Sequence, residues 1–215
     1  MERYVLWFVF FGGCFAQEDM RDNVFIFPRM STSDYVILKP NLTEPIDKLT
    51  VCLRTYTELH NRFEALISIG KPNLYTPQMF SMYRKDLYFY TNINGSQVYF
   101  VTDPDVREWR HICVSWDSTT GVLRLYLNGK IYPRTVLKKG FIINLQETMV
   151  LGLEQNIWGD ESFQGEICDV YVWNEVLPLS LVREAQAGNT YVHGNVINWR
   201  ALTYEIKGEV IVQPK

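Results

Sequence analysis

Short runs in which apolar and polar positions alternate dominate this chain. Leu49–Tyr56 (LTVCLRTY) sets Val51, Leu53 and Thr55 against Cys52, Arg54 and Tyr56, the period-two pattern of a half-buried strand. Val24–Phe27 and Tyr35–Leu38 alternate in the same way and are broken by Pro28 and Pro40. Ala65–Ile69, Met79–Tyr83, Leu87–Thr91 and Val98–Val101 are short and rich in aromatic and β-branched residues. Turn residues separate them at Gly70-Lys71-Pro72, Lys85-Asp86 and Asn94-Gly95. The clearest hairpin pairs Trp109–Trp116 with Val122–Leu127, after which Asn128-Gly129 supplies the positive φ angles of a tight type I′ turn. Val150–Leu153, Gly165–Trp173 and Val196–Leu202 with Glu209–Val212 complete the set. Strands about every ten residues with antiparallel turn chemistry predict an all-β, two-sheet sandwich or jelly roll. One helix interrupts it: Pro178 suits a first turn, Ser180 a cap, Leu181, Val182 and Ala185 helical spacing, and Gly188 the end. It is expected to pack on one face of a sheet.

The first sixteen residues have a different pattern. Arg3 precedes an apolar run from Tyr4 to Phe11, and Gly12, Gly13, Cys14 and Ala16 follow as small residues. That order predicts a signal peptide over 1–16 with Gln17 as the mature start, hence a secreted chain with one domain over 17–215. No later stretch has the roughly 18 apolar residues of a membrane helix. Aromatic residues at 14% and charged residues at 21% describe a globular protein with a substantial core. The net charge of −3 and the absence of a basic stripe argue against nucleic acid as a partner.

Beyond the signal, Cys52, Cys113 and Cys168 remain for an oxidising compartment. One pair and one leftover is the simplest outcome. Cys52 and Cys113 both lie inside strand-like runs and are assigned to the pair. Cys168 is then free, either as a buried apolar filler or as a handle for another chain.

His111-Ile112-Cys113-Val114-Ser115-Trp116-Asp117-Ser118 matches the pattern His-x-Cys-x-Ser/Thr-Trp-x-Ser at every fixed position. With Phe25–Pro28 (FIFP), Tyr56–Leu59 (YTEL), Leu137–Gly140 (LKKG), Leu151–Gln155 (LGLEQ) and Asn198–Gly208 (NWRALTYEIKG), the chain resembles the pentraxins along its whole mature length. The resemblance implies a flattened, concanavalin-like jelly roll with one short helix. One face would bind calcium ions that contact phosphocholine, phosphoethanolamine or carbohydrate ligands. The helix face would meet complement or Fc receptors, and the subunits would form a homopentamer. Alternation places His111, Cys113 and Ser115 on one side of their strand and Ile112, Val114 and Trp116 on the other, a structural reading of the signature.

A cation is also suggested by charge. From Gly140 to Val182 there is no Lys or Arg, while Glu147, Glu154, Asp160, Glu161, Glu166, Asp169 and Glu175 fall within the stretch. Calcium takes about six to eight oxygen ligands, which carboxylates on a loop provide; composition alone fits a solvated acidic surface as well. The resemblance assigns the metal ligands to Glu154, Gln155, Asn156 and Glu161, with Gln155 acting through its carbonyl. Asn156 stands where the family has a carboxylate, and the loop to Ser162 is about five residues shorter than in close relatives. The family's Asp-Asn pair on an earlier loop falls on Tyr75 and Thr76, and its apolar pocket wall on Ser81. One weakened calcium site is therefore expected where the family has two.

Asn41-Leu42-Thr43 and Asn94-Gly95-Ser96 are glycosylation acceptor patterns beside turns. No nucleophile, zinc-protease or phosphate-loop motif occurs. Glu166 and Asp169, three apart on a strand, are expected on opposite faces, which argues against a two-carboxylate glycosidase site. The competing function is a calcium-independent adhesion module of the same fold.

Overall fold

The computed structural model describes residues 17–58, 62–71, 76–103, 108–155, 162–189 and 191–215. In chain order the strands are β1 (Asn23–Phe27), β2 (Tyr35–Leu38), β3 (Lys48–Tyr56), β4 (Glu64–Gly70) and β5 (Phe80–Lys85). There follow β6 (Tyr88–Ile93), β7 (Ser96–Val101), β8 (Arg110–Asp117), β9 (Val122–Leu127), β10 (Lys130–Ile131) and β11 (Thr135–Val136). The remainder are β12 (Thr148–Leu151), β13 (Gly165–Trp173), β14 (Tyr204–Lys207) and β15 (Ile211–Pro214), with helix α1 (Leu179–Gln186) after β13. One sheet runs β10-β9-β8-β3-β13-β1-β15, with β11 also on β9; the other runs β14-β2-β12-β4-β5-β6-β7. Every pairing is antiparallel.

The sandwich closes because one side of each central strand is apolar. Leu49, Val51 and Leu53 on β3 pair with Trp116, Val114 and Ile112 on β8, and all six are buried. They face Ile67, Ile69, Phe80 and Met82, also buried, from the smaller sheet. Burying one such side chain contributes about 1.5–3 kcal/mol. Trp116 also satisfies its indole N–H, which donates to Leu137 O at 2.8 Å.

The expected hairpin forms with Asp117 opposite Val122, and Asn128 and Gly129 take φ of 47° and 76°. The disulfide joins Cys52 to Cys113, direct neighbours across β3 and β8 with Cα atoms 4.1 Å apart. Cys168 is free and buried.

Three expectations need correction. β3 is buried on both sides rather than half-buried. The segment before and including α1 lies across its second side: Thr50 Oγ1 donates to Glu175 O at 2.6 Å, Leu177 N–H donates to Thr50 Oγ1 at 3.1 Å, and Arg54 bonds Gln186 O. Ser180 does not cap α1. The cap position is Pro178, without a side-chain bond; Val182 and Ala185 are the buried face, and Leu181 is exposed. The run Val196–Leu202 is not a strand. Asn198 Oδ1 accepts from Arg200 N–H and closes a 3-10 turn over Trp199–Ala201, and pairing resumes at β14. Among the described residues no helix is long and apolar enough to cross a membrane.

Candidate functional site

Residues 152–155 and 162–163 form a closed stem. After β12, Gly152 has φ of 80°, and an added Cβ there would lie 2.2 Å from the Phe27 ring, so glycine is required. Leu153 bridges Ser162 antiparallel, and Phe163 N–H donates to Gly152 O at 2.8 Å. Glu154 and Gln155 emerge just above this neck and are both buried. Ser81 Oγ donates to Glu154 Oε1 at 3.3 Å. Gln155 Nε2 donates to Thr148 O at 2.9 Å and to Ser68 Oγ at 3.3 Å, while Ser68 Oγ donates to Leu153 O at 2.9 Å. Asn156 and Glu161 lie outside the described residues.

Beside Glu154 and Gln155 the smaller sheet carries a polar row. Ser68, Ser81, Asn92 and Gln97 are successive register partners across β4, β5, β6 and β7. Paired residues point to one side of a sheet; at this side Gln97 is exposed and Asn92 half-buried, while Ser68 and Ser81 are buried where Glu154 and Gln155 lie against them. Ser81, expected in the pocket wall, stands directly beside Glu154. The next row is Tyr83, Tyr90 and Tyr99, with Tyr83 and Tyr90 stacked at 5.0 Å and Tyr83 Oη donating to Gln97 Oε1 at 2.5 Å. Burial raises the Tyr90 pKa, with the neighbouring Tyr88 and Tyr99 adding to it. The sequence does not reveal this row, because its members are seven and nine residues apart and only strand register brings them together.

The donor chemistry fits a hard cation at one site. Glu154 offers a carboxylate already withdrawn from bulk water, Gln155 keeps its side chain engaged below and leaves its carbonyl for the loop, and the surrounding groups are hydroxyls and amides. Of the positions expected at a second site, Tyr75 lies outside the described residues and Thr76 is exposed, and neither carries a carboxylate. Among the described residues, the group with metal-ligating spacing is Cys52, His111 and Cys113, and both sulfurs are held in the disulfide.

The opposite face has another character. His111 is buried with Nε2 3.6 Å from Cys113 Sγ; burial, with the Arg54 charge adding, pushes its pKa down to about 3. It is a neutral packing residue. Asp169 corrects the alternation argument. It has φ of 51° at a break in the β13–β3 register, which turns its side chain toward Glu166 and Cys168, and all three line one cavity of about 350 Å³ with Arg54, Trp109 and Lys215. Asp169 pairs with Arg54 at 3.0 Å and Lys215 at 2.7 Å. Of the two glycosylation candidates, Asn41 is exposed and Asn94 occupies the β6–β7 turn with φ of 45°.

The fold defines a class: an antiparallel two-sheet jelly roll with the oxygen donors of Glu154, Gln155 and Ser81 on one sheet and a helix packed on the other. The Pentaxin family model matches residues 23–214. The chain belongs to this family, the pentraxins. It is 43% identical over 225 aligned positions to the C-reactive protein of Xenopus laevis, covering 100% of this chain and 92% of that protein. It is 36% identical over 224 positions to the serum amyloid P-component of Cavia porcellus, covering 100% and 99%. Among solved structures, the native heptameric SAP-like pentraxin from Limulus polyphemus superposes with a TM-score of 0.76 at 25% identity, covering 92% of this chain and 97% of that one.

Proposed function

We propose that this chain is a secreted pattern-recognition protein of innate immunity that uses calcium at the 154–161 loop to bind phosphorylated or carbohydrate ligands. Residues 1–16 act as its signal peptide. The observation that carries the reading is the buried Glu154 carboxylate, set beside the Ser68–Ser81–Asn92–Gln97 row of the smaller sheet. Glu154, the Gln155 carbonyl, Asn156 and Glu161 hold the ion. Bound calcium supplies a positive centre for phosphate oxygens or vicinal hydroxyls. Asn92 and the exposed Gln97, at the open end of the row, orient the rest of the ligand by hydrogen bonds. Since Ser81 offers little apolar surface, hydroxyl-rich glycans and phosphoethanolamine fit this wall better than the methyl groups of phosphocholine. The subunits assemble into a closed homo-oligomer, five by family resemblance, and the helix face engages complement or Fc receptors.

The test is calcium-dependent stabilisation and retention. With a dissociation constant on the order of 10⁻⁴ M, 2 mM calcium adds about 1.8 kcal/mol. For a chain of this size that raises Tm by about 4–7 °C. Glu154→Gln is expected to abolish the shift and release the protein from phosphoethanolamine and agarose resins, as a chelator does. An unchanged Tm together with chelator-insensitive retention supports the adhesion module instead.

A further inference from the structure

Three of the four sheet edges are blunted. β10 and β11, which share the edge at β9, have two residues each, and β10 includes Lys130. β15 ends in Pro214 and is followed by Lys215, and β14 carries Glu205 and Lys207. Short length, proline and charge are the devices that stop a sheet edge from pairing with another chain. The fourth edge, β7, has none of them. Its six residues, Ser-Gln-Val-Tyr-Phe-Val, hold no charge and no proline, and its register with β6 has no bulge.

The ladder phase shows what β7 offers. Asn94-Gly95 joins Ile93 to Ser96 as a two-residue turn, and Thr102 N–H donates to Leu87 O at 2.6 Å. Hydrogen-bonded pairs recur at every second residue of an antiparallel ladder. Ser96, Val98 and Phe100 therefore bond to β6, while Gln97, Tyr99 and Val101 aim their N–H and C=O groups outward. Among the described residues no backbone bond reaches those groups. Their side chains are exposed as well, Tyr99 by 62% and Val101 by 60%, with Leu87 and Tyr88 exposed nearby.

We propose that β7 pairs antiparallel with β7 of a second copy of this chain, about a twofold axis at Tyr99. Tyr99 then opposes its own counterpart, Gln97 opposes Val101, and about six backbone hydrogen bonds form. A twofold contact sets each residue against the same surface of its mate, so a charge at the axis would meet its like; this strand has none. The Tyr83–Tyr90–Tyr99 row runs on across the axis into the second copy, extending aromatic contact. Ring closure uses head-to-tail contacts, which leaves this self-complementary edge to join two chains or two rings. The pairing does not depend on calcium.

Sedimentation of the secreted, deglycosylated chain tests it. Tyr99→Lys puts like charges at the axis. Val101→Pro removes an outward N–H that β6 does not use, so the hairpin survives. Val136→Lys, at a site exposed by 65% on another edge, is the control. Particle mass is expected to fall twofold with each β7 variant and to stay unchanged with the control. Amide exchange at Gln97, Tyr99 and Val101 is expected to slow by about tenfold or more as concentration rises. A mass that neither β7 variant lowers overturns the proposal, as does rapid exchange at all three amides at every concentration. Protection gained only when serum is added overturns it too, because the edge then takes a foreign strand.

Discussion

Glu64→Gln changes little in shape and removes one charge from the interior. Glu64 and Arg84 have side chains 1% and 5% exposed, and Arg84 Nε lies 2.5 Å from Glu64 Oε2. Thr57 Oγ1 donates to the other carboxylate oxygen at 3.1 Å, tying the pair to the larger sheet. The pair stands at the β4–β5 bulge between Ala65 and Ile67, next to Tyr83. Breaking a buried, hydrogen-bonded ion pair by neutralising one partner costs about 3–5 kcal/mol. At about 2–4 °C per kcal/mol for a chain of this size, Tm should drop by about 6–20 °C. Replacing both, Glu64→Leu with Arg84→Met, takes two charges out of the interior together and should cost about 1 kcal/mol or less. Urea unfolding at pH 7 of the single and double variants measures both figures. A single variant that loses under about 1 kcal/mol, or a double variant as unstable as the single, refutes the argument.

Acid stability is expected to depend on His111. Its folded-state pKa of about 3 lies below the ordinary 6.5, so its contribution is full above pH 6.5 and is lost as pH falls toward 3. At pH 4.5 this loss is about 2–3 kcal/mol; His111→Gln should show a correspondingly shallower drop between pH 7 and 4.5, and identical slopes for the two proteins contradict it. Cys168 is buried, and burial with the Asp169 charge pushes its thiol up to about 12. Iodoacetamide at pH 8 should leave it unmodified until the protein unfolds, and Cys168→Ser should keep the particle mass; a disulfide-linked dimer on a non-reducing gel would contradict this.

Much of the fold is legible in the sequence because its signals are local. The Asn128-Gly129 turn and the alternation of His111–Trp116 needed no tertiary information and mark β8 and β9, and the Cys52–Cys113 pairing came from both residues lying in strand-like runs. The errors arise where distant segments intervene. β3 reads as half-buried because the 175–186 segment that covers it is more than a hundred residues away. Val196–Leu202 has a strand's composition, but the Asn198 side chain offers the backbone a competing bond. Asp169 breaks alternation through a left-handed residue that composition does not announce. At the candidate site, Glu154, Gln155 and Ser81 come from the motif, whereas the tyrosine row and the open edge at β7 exist only once three strands are in register.

The Leu153–Ser162 bridge closes the 154–161 span at its base, where Glu154 and Gln155 are held to the sheet by Ser81, Thr148 and Ser68. Whatever is threaded between those two anchors is closed off by the same pair of residues, so its length is nearly decoupled from the stability of the sheets. Inserting five residues into the eight between those anchors would add only about 0.4 kcal/mol of closure entropy. The neck therefore works as a socket that tolerates inserts of different length while the scaffold beneath stays as it is.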